Sequence, residues 1–121
     1  MNPPGIGDSQ DWKAGAFIWS GSRDPEWEVS AADALAAMSI WNRLEVAQRW
    51  TRPPSRLGYR GCWLRGIGAG RWTVEADLVL MAAAAGGEVL QARRDPNRSF
   101  ERTILATAPR GLLPSNLIGS P

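Results

Sequence analysis

Hydrophobic and polar residues alternate with two periods along this chain, and the periods divide it into short strands and two helices. Residues 14–20 (AGAFIWS) are mostly apolar and stop at Gly21, the pattern of a short strand. Residues 22–29, with Asp24-Pro25 at their centre, read as a turn region. Ser30-Ala31-Ala32-Asp33 has the form of a capping box, with aspartate in the glutamate position. It opens an alanine-rich helix expected to reach about Trp50 and to stop before Pro53-Pro54. The apolar stripe of that helix is poor. At about 100° per residue, Leu35, Val46 and Trp50 fall on one side, Ala34, Met38 and Trp41 on a second, and Ile40 and Leu44 on a third. A helix apolar on several sides is either central in its fold or touches something besides its own core.

Residues 52–57 form a proline-containing loop, and residues 58–66 (GYRGCWLRG) read as a strand between glycines. Gly66-Ile67-Gly68-Ala69-Gly70 then turns the chain. From Trp72 to Met81 the alternation is the clearest in the sequence, and it predicts one strand, paired in a hairpin with the preceding one. Gly86-Gly87 is a second turn, and residues 88–93 are a further strand. Asp95-Pro96-Asn97 offers a cap to a helix over 98–107, which carries Phe100, Ile104 and Leu105 and ends at Pro109. The order β-α-β-β-β-α predicts a single α+β domain over residues 14–108. Its sheet should have three or four largely antiparallel strands, with two helices on one face. Residues 1–13 are expected to be a mobile tail and 109–121 an extended one.

Length and composition narrow the chemistry. A chain of 121 residues makes one domain. It buries roughly two thirds of its unfolded surface, enough to fold without metal or disulfide. It has no histidine and one cysteine. That excludes Ser-His-Asp and Cys-His nucleophile systems, the common zinc sites and histidine-held haem. Cys62 reads as a small core residue kept reduced. The first residues lack a basic cluster followed by an apolar run, so no signal peptide is expected. The longest apolar stretch, residues 78–85, is far short of the ~20 that span a bilayer. A cytoplasmic protein away from membranes is the expectation.

Charge and tryptophan are unevenly placed. Residues 1–50 hold four basic and seven acidic groups, and residues 51–121 hold ten and five. Arg52, Arg56, Arg60, Arg65 and Arg71 follow one another without an intervening acid. Thirteen of the fourteen basic residues are arginine, whose planar fork suits carboxylates, phosphates and aromatic faces. A GC-rich genome would leave the same bias. All seven tryptophans lie at or before Trp72, more than so small an interior is expected to enclose.

Around Ser20-Gly21-Ser22-Arg23-Asp24-Pro25-Glu26-Trp27 the chain resembles a small, mainly bacterial protein family whose pattern opens S-G-R-P-(D/N)-P-x-W. The likeness continues at Leu57-Gly58-Tyr59-Arg60-Gly61 and, more loosely, at Phe100-Glu101-Arg102, and spans most of residues 17–108. Ser22 and Arg23 depart from it, standing where the pattern has Arg-Pro. The resemblance implies no activity, only that these turns recur as a unit. Read from the residues alone, Asp24-Pro25 fixes a bend and Trp27 folds back as a staple. The alternative is a loop presenting Arg23 and Trp27 to a ligand.

Among carboxylates, Glu26 with Glu28 and Glu75 with Asp77 are spaced to share one face of a strand, where paired acids could split their pKa values. Glu75 and Asp77 sit opposite the apolar set of the same strand, so a solvated outer face is the expected reading of that pair. The glycines at 66–70 are spaced G-x-G-x-G, are followed by no lysine and lead into a strand, so they are a turn and not a phosphate loop. The aspartates and glutamates near residues 8–28 do not have calcium-loop spacing. No cofactor or metal is implied.

Together these features predict a non-catalytic protein-binding or accessory protein, gripping a protein partner or a second copy through Arg23, Trp27, Trp41 and Trp50. The alternative is a binder of single-stranded nucleic acid through Arg52, Arg56, Tyr59, Arg60, Trp63, Arg65 and Arg71, where arginines would meet phosphates and rings would stack on bases. An enzyme working with carboxylates alone is the third reading.

Overall fold

The structure, a computed structural model, describes residues 11–19, 23–51 and 58–113; of residues 19 and 58–60 it describes the backbone alone. The elements in chain order are β1 (Trp12–Trp19), β2 (Glu26–Glu28), α1 (Ala31–Trp41), β3 (Glu45–Val46), β4 (Gly58–Gly66), β5 (Gly70–Glu75), β6 (Leu78–Ala82), β7 (Gln91–Arg94) and α2 (Ser99–Ala106). The strands form one sheet in the order β2-β1-β4-β5-β6-β7-β3, with every pair antiparallel. The α+β class stands, but the expected three or four strands are seven.

Each additional strand has its own cause. The run from Trp72 to Met81 is two strands, because the chain reverses at Ala76-Asp77 and pairs Glu75 with Leu78. Ala76 takes a positive φ of 55° there, a conformation that glycine or asparagine normally signals. The reversal also separates Glu75 from Asp77, which therefore do not share a strand face. Residues 26–28, expected as turn, add to the edge of β1. Residues 45–46, expected as helix, pair with β7 at the opposite edge. The N-terminal strand begins at Trp12, inside the expected tail.

The first helix is half its expected length. Its start is as the sequence indicates, with Ser30 Oγ accepting from the Asp33 amide at 3.1 Å. Its end is tertiary. The Trp41 carbonyl accepts from Arg93 Nη1 at 2.7 Å, and a cation at a helix C-terminus also opposes the dipole. Val46 and Trp50 then lie outside the helix, which explains the disordered apolar stripe. Within α1, Ala34, Ala37 and Trp41 form one buried line.

Register assigns the two sheet faces. Trp12, Ala14 and Ala16, with Cys62 and Leu64, Trp72 and Val74, and Val79, face the two helices. They pack with Trp41, Phe100, Ile104 and Leu105 into the main core. Trp72 stacks on Trp12 at 6.2 Å and meets the edge of Trp41 at 6.3 Å. The opposite face carries Lys13 and Gly15, Trp63 and Arg65, Arg71 and Thr73, and Leu78 and Leu80. At its β6–β7 end a second cluster joins Leu78, Leu80 and Ala92 to Ala47, with Trp50 and Val89 against it.

The second helix is capped from upstream. Asp95, 2% exposed, accepts from the amides of Ser99 and Phe100 at 3.0 and 2.9 Å. Arg98 turns the chain with a φ of 57° and pairs with Glu101 at 2.9 Å. Both sheet edges are short and carry exposed glutamates at residues 26, 28 and 45, which discourages pairing with another sheet. No helix among the described residues is long and apolar enough to cross a membrane.

Candidate binding cleft

The expected surplus of tryptophan is mostly absorbed by the interior. Trp27, Trp41, Trp63 and Trp72 are all 5–6% exposed, and Trp12 is half-buried against the main core. Trp27 and Trp41, expected as partner anchors, thus have most of their ring surface inside the fold. Trp27 is the staple: it sits on β2, and its Nε1 donates to Thr107 Oγ1 at 2.8 Å, fastening the sheet edge to the end of α2. Trp41 lies beneath Arg93, whose guanidinium carbon is 4.4 Å from the ring centre. Arg23 is exposed but has lost the ring expected beside it.

Trp50 stands apart. It is half-buried, held by the small cluster on the sheet face opposite the helices. With Arg49, Thr51, Ala76, Asp77, Leu78 and Arg94 it lines an open cleft of about 530 Å³. The floor is apolar where Leu78 joins the cluster. The rim is polar and held in place. Arg94 Nη2 donates to the Arg49 carbonyl at 2.9 Å, and its Nη1 lies 3.9 Å from Asp77 Oδ2. That ion pair is loose and about half-exposed, so it contributes little to stability and can exchange for a ligand carboxylate. Two guanidiniums against one carboxylate leave the rim cationic. An indole, a cationic rim and a hydroxyl can hold an apolar side chain with an acidic group beside it.

Of these residues the sequence singled out Trp50 as a partner contact and Asp77 only as half of a carboxylate pair with Glu75. Arg49 and Thr51 adjoin Trp50 in the chain and were legible as neighbours. Asp77 and Leu78 arrive through the β5–β6 turn, which has no glycine to signal it, and Arg94 through the β6–β7 pairing.

The arginine and aromatic segment is only partly in view. Arg52 and Arg56, with the side chains of Tyr59 and Arg60, lie outside the described residues. Trp63, Arg65 and Arg71 do come together. The Trp63 ring lies across Gly15, where a Cβ would come within 2.5 Å of it, and the guanidinium carbons of Arg71 and Arg65 sit 5.0 and 5.9 Å from its centroid. Trp63 is 6% exposed beneath them, so little of its ring faces outward. Among the described residues no three histidine, cysteine or acidic side chains converge as a metal ion would need.

No protein-family model, no curated protein and no solved structure matches the chain.

Proposed function

We propose that the chain is a non-catalytic accessory protein that binds an acidic segment of a polypeptide partner in the cleft beside Trp50. One observation carries this reading. Trp50 is left half-buried in an open cleft whose rim bears Arg49 and Arg94, while Trp27 and Trp41 are taken up by the core. Aromatic and arginine side chains contribute most of the free energy at protein interfaces, and arginine clusters select acidic motifs. The apolar floor takes a leucine or aromatic side chain of the partner, and the rim takes the adjacent carboxylate.

Anisotropy with fluorescent peptides tests it. A peptide alternating leucine with aspartate or glutamate binds, and one with lysine in the acidic positions does not. Trp50→Ala weakens the acidic peptide by about 2 kcal/mol, roughly thirtyfold, and Arg94→Gln weakens it by about tenfold. Equal binding of the acidic and basic peptides contradicts the reading, as does affinity unchanged in both variants.

A further inference from the structure

A second feature of the same sheet face is independent of the cleft. Register places Lys13 directly opposite Arg65, and Arg65 directly opposite Arg71, on three adjacent strands. Side chains so placed have Cβ atoms about 5 Å apart, and like charges in this position repel. Among the described residues none of the three is in an ion pair. Glu28 ends the row opposite Lys13, but outside ion-pair distance.

Covering Trp63 does not by itself call for this arrangement. Neutral side chains, or an arginine with a glutamate, would shield the ring without three adjacent cations. What the indole does provide is a platform: the guanidinium carbons of Arg65 and Arg71 lie 5.9 and 5.0 Å from its centroid, so one ring gathers both cations. Gly15 keeps that platform low, since any side chain there would displace the ring.

We propose that the Lys13–Arg65–Arg71 row binds the phosphate backbone of a single nucleic-acid strand. The row is two strand spacings long, roughly 10 Å, enough for successive phosphates along a strand and more than one phosphate needs. Because Trp63 is enclosed, no base stacks on it, and binding by this row is independent of base sequence. The phosphate contacts displace counterions, so affinity falls as salt rises.

The test uses the full chain and fluorescent single-stranded homopolymer oligonucleotides, titrated across a salt series. Three neutralised phosphates predict a slope of log K against log salt of about −2. The double variant Arg65→Gln/Arg71→Gln loses at least tenfold in affinity at low salt, and its slope shrinks by about 1.4. Arg65→Lys/Arg71→Lys, which keeps the charges, retains the wild-type slope and excludes a trivial loss of fold. Arg102→Gln, exposed on α2, binds as the wild type does. The proposal is overturned by no binding at low salt, by binding that the double glutamine variant leaves intact, or by poly-glutamate bound as tightly as the oligonucleotide.

Discussion

Arg93 and Trp41 meet twice: the guanidinium lies 4.4 Å from the centre of the indole, and Nη1 donates to the Trp41 carbonyl at 2.7 Å. The same guanidinium, through Nε, holds Gln91 Oε1 at 2.7 Å. One side chain on β7 thus ends α1 and fixes it to the sheet. Arg93→Met is expected to cost about 2 kcal/mol, since it removes a charged hydrogen bond to the Trp41 carbonyl, which keeps only the Leu44 amide at 3.1 Å. Arg93→Lys keeps the charge but not the fork, and should cost about half as much. Urea unfolding with an unchanged m-value measures both.

The β5–β6 reversal makes the opposite prediction, a gain. Ala76 has a positive φ at the first central position of a two-residue turn, where glycine carries no steric penalty. Ala76→Gly should stabilise by about 0.5–1 kcal/mol after the added freedom of the unfolded chain is counted. Ala76→Val should destabilise by about 1 kcal/mol or more, because a branched side chain fits that region poorly. Thermal melts that place the valine variant above the glycine variant would refute this account of the turn.

Two buried indoles differ in one atom's surroundings. Trp27 Nε1 donates to Thr107, whereas Trp72 Nε1 is buried without a hydrogen-bond partner. Replacing Trp72 by Phe removes an unsatisfied donor along with some packing, so the two effects partly offset. Replacing Trp27 by Phe loses packing and a bond together. Trp27→Phe should therefore be the costlier substitution by about 1–2 kcal/mol. Equal losses would remove the distinction.

Asp95 accepts two amides of the first turn of α2 while almost fully buried, and its own amide donates to the Asp77 carbonyl at 2.7 Å. Asp95→Ala should cost at least about 2 kcal/mol, since it leaves two amides buried without an acceptor. Asp95→Asn, with one carbonyl oxygen remaining, should cost less. Amide hydrogen exchange at Ser99 and Phe100 reports the site directly: it should accelerate in the alanine variant ahead of the rest of the helix.

What the sequence disclosed was local. The Ser30 cap, the glycine turn at 66–70 and the cap at Asp95 rest on contacts within a few residues, and each was legible from residue type. The length of α1 was not, because its end is set by Arg93, fifty-two positions away. The Ala76 reversal was not, because it uses alanine and aspartate where the usual signal is glycine, and alternation continues across it in register. The edge strands of three and two residues were not, because so short a segment has no period to read. The tryptophan count misled for a related reason. Trp72 stacks on Trp12 and meets Trp41 edge-on in a core whose remaining lining is rich in alanine, so large rings fill the space that small residues leave. For the cleft, Trp50 was visible in the sequence, and its partners Asp77, Leu78 and Arg94 depended on a topology that was not.

The central claim is that Trp50 is the ring that meets the partner, and its indole N–H signal tests this most directly. In nitrogen–proton correlation spectra, the Trp50 indole signal is identified by its loss in Trp50→Phe. Titration with the leucine-aspartate peptide should shift that signal in a saturable way and leave those of Trp27, Trp41 and Trp72 in place. A titration in which the Trp50 signal stays fixed while the peptide binds, or in which no indole signal moves at all, contradicts the assignment.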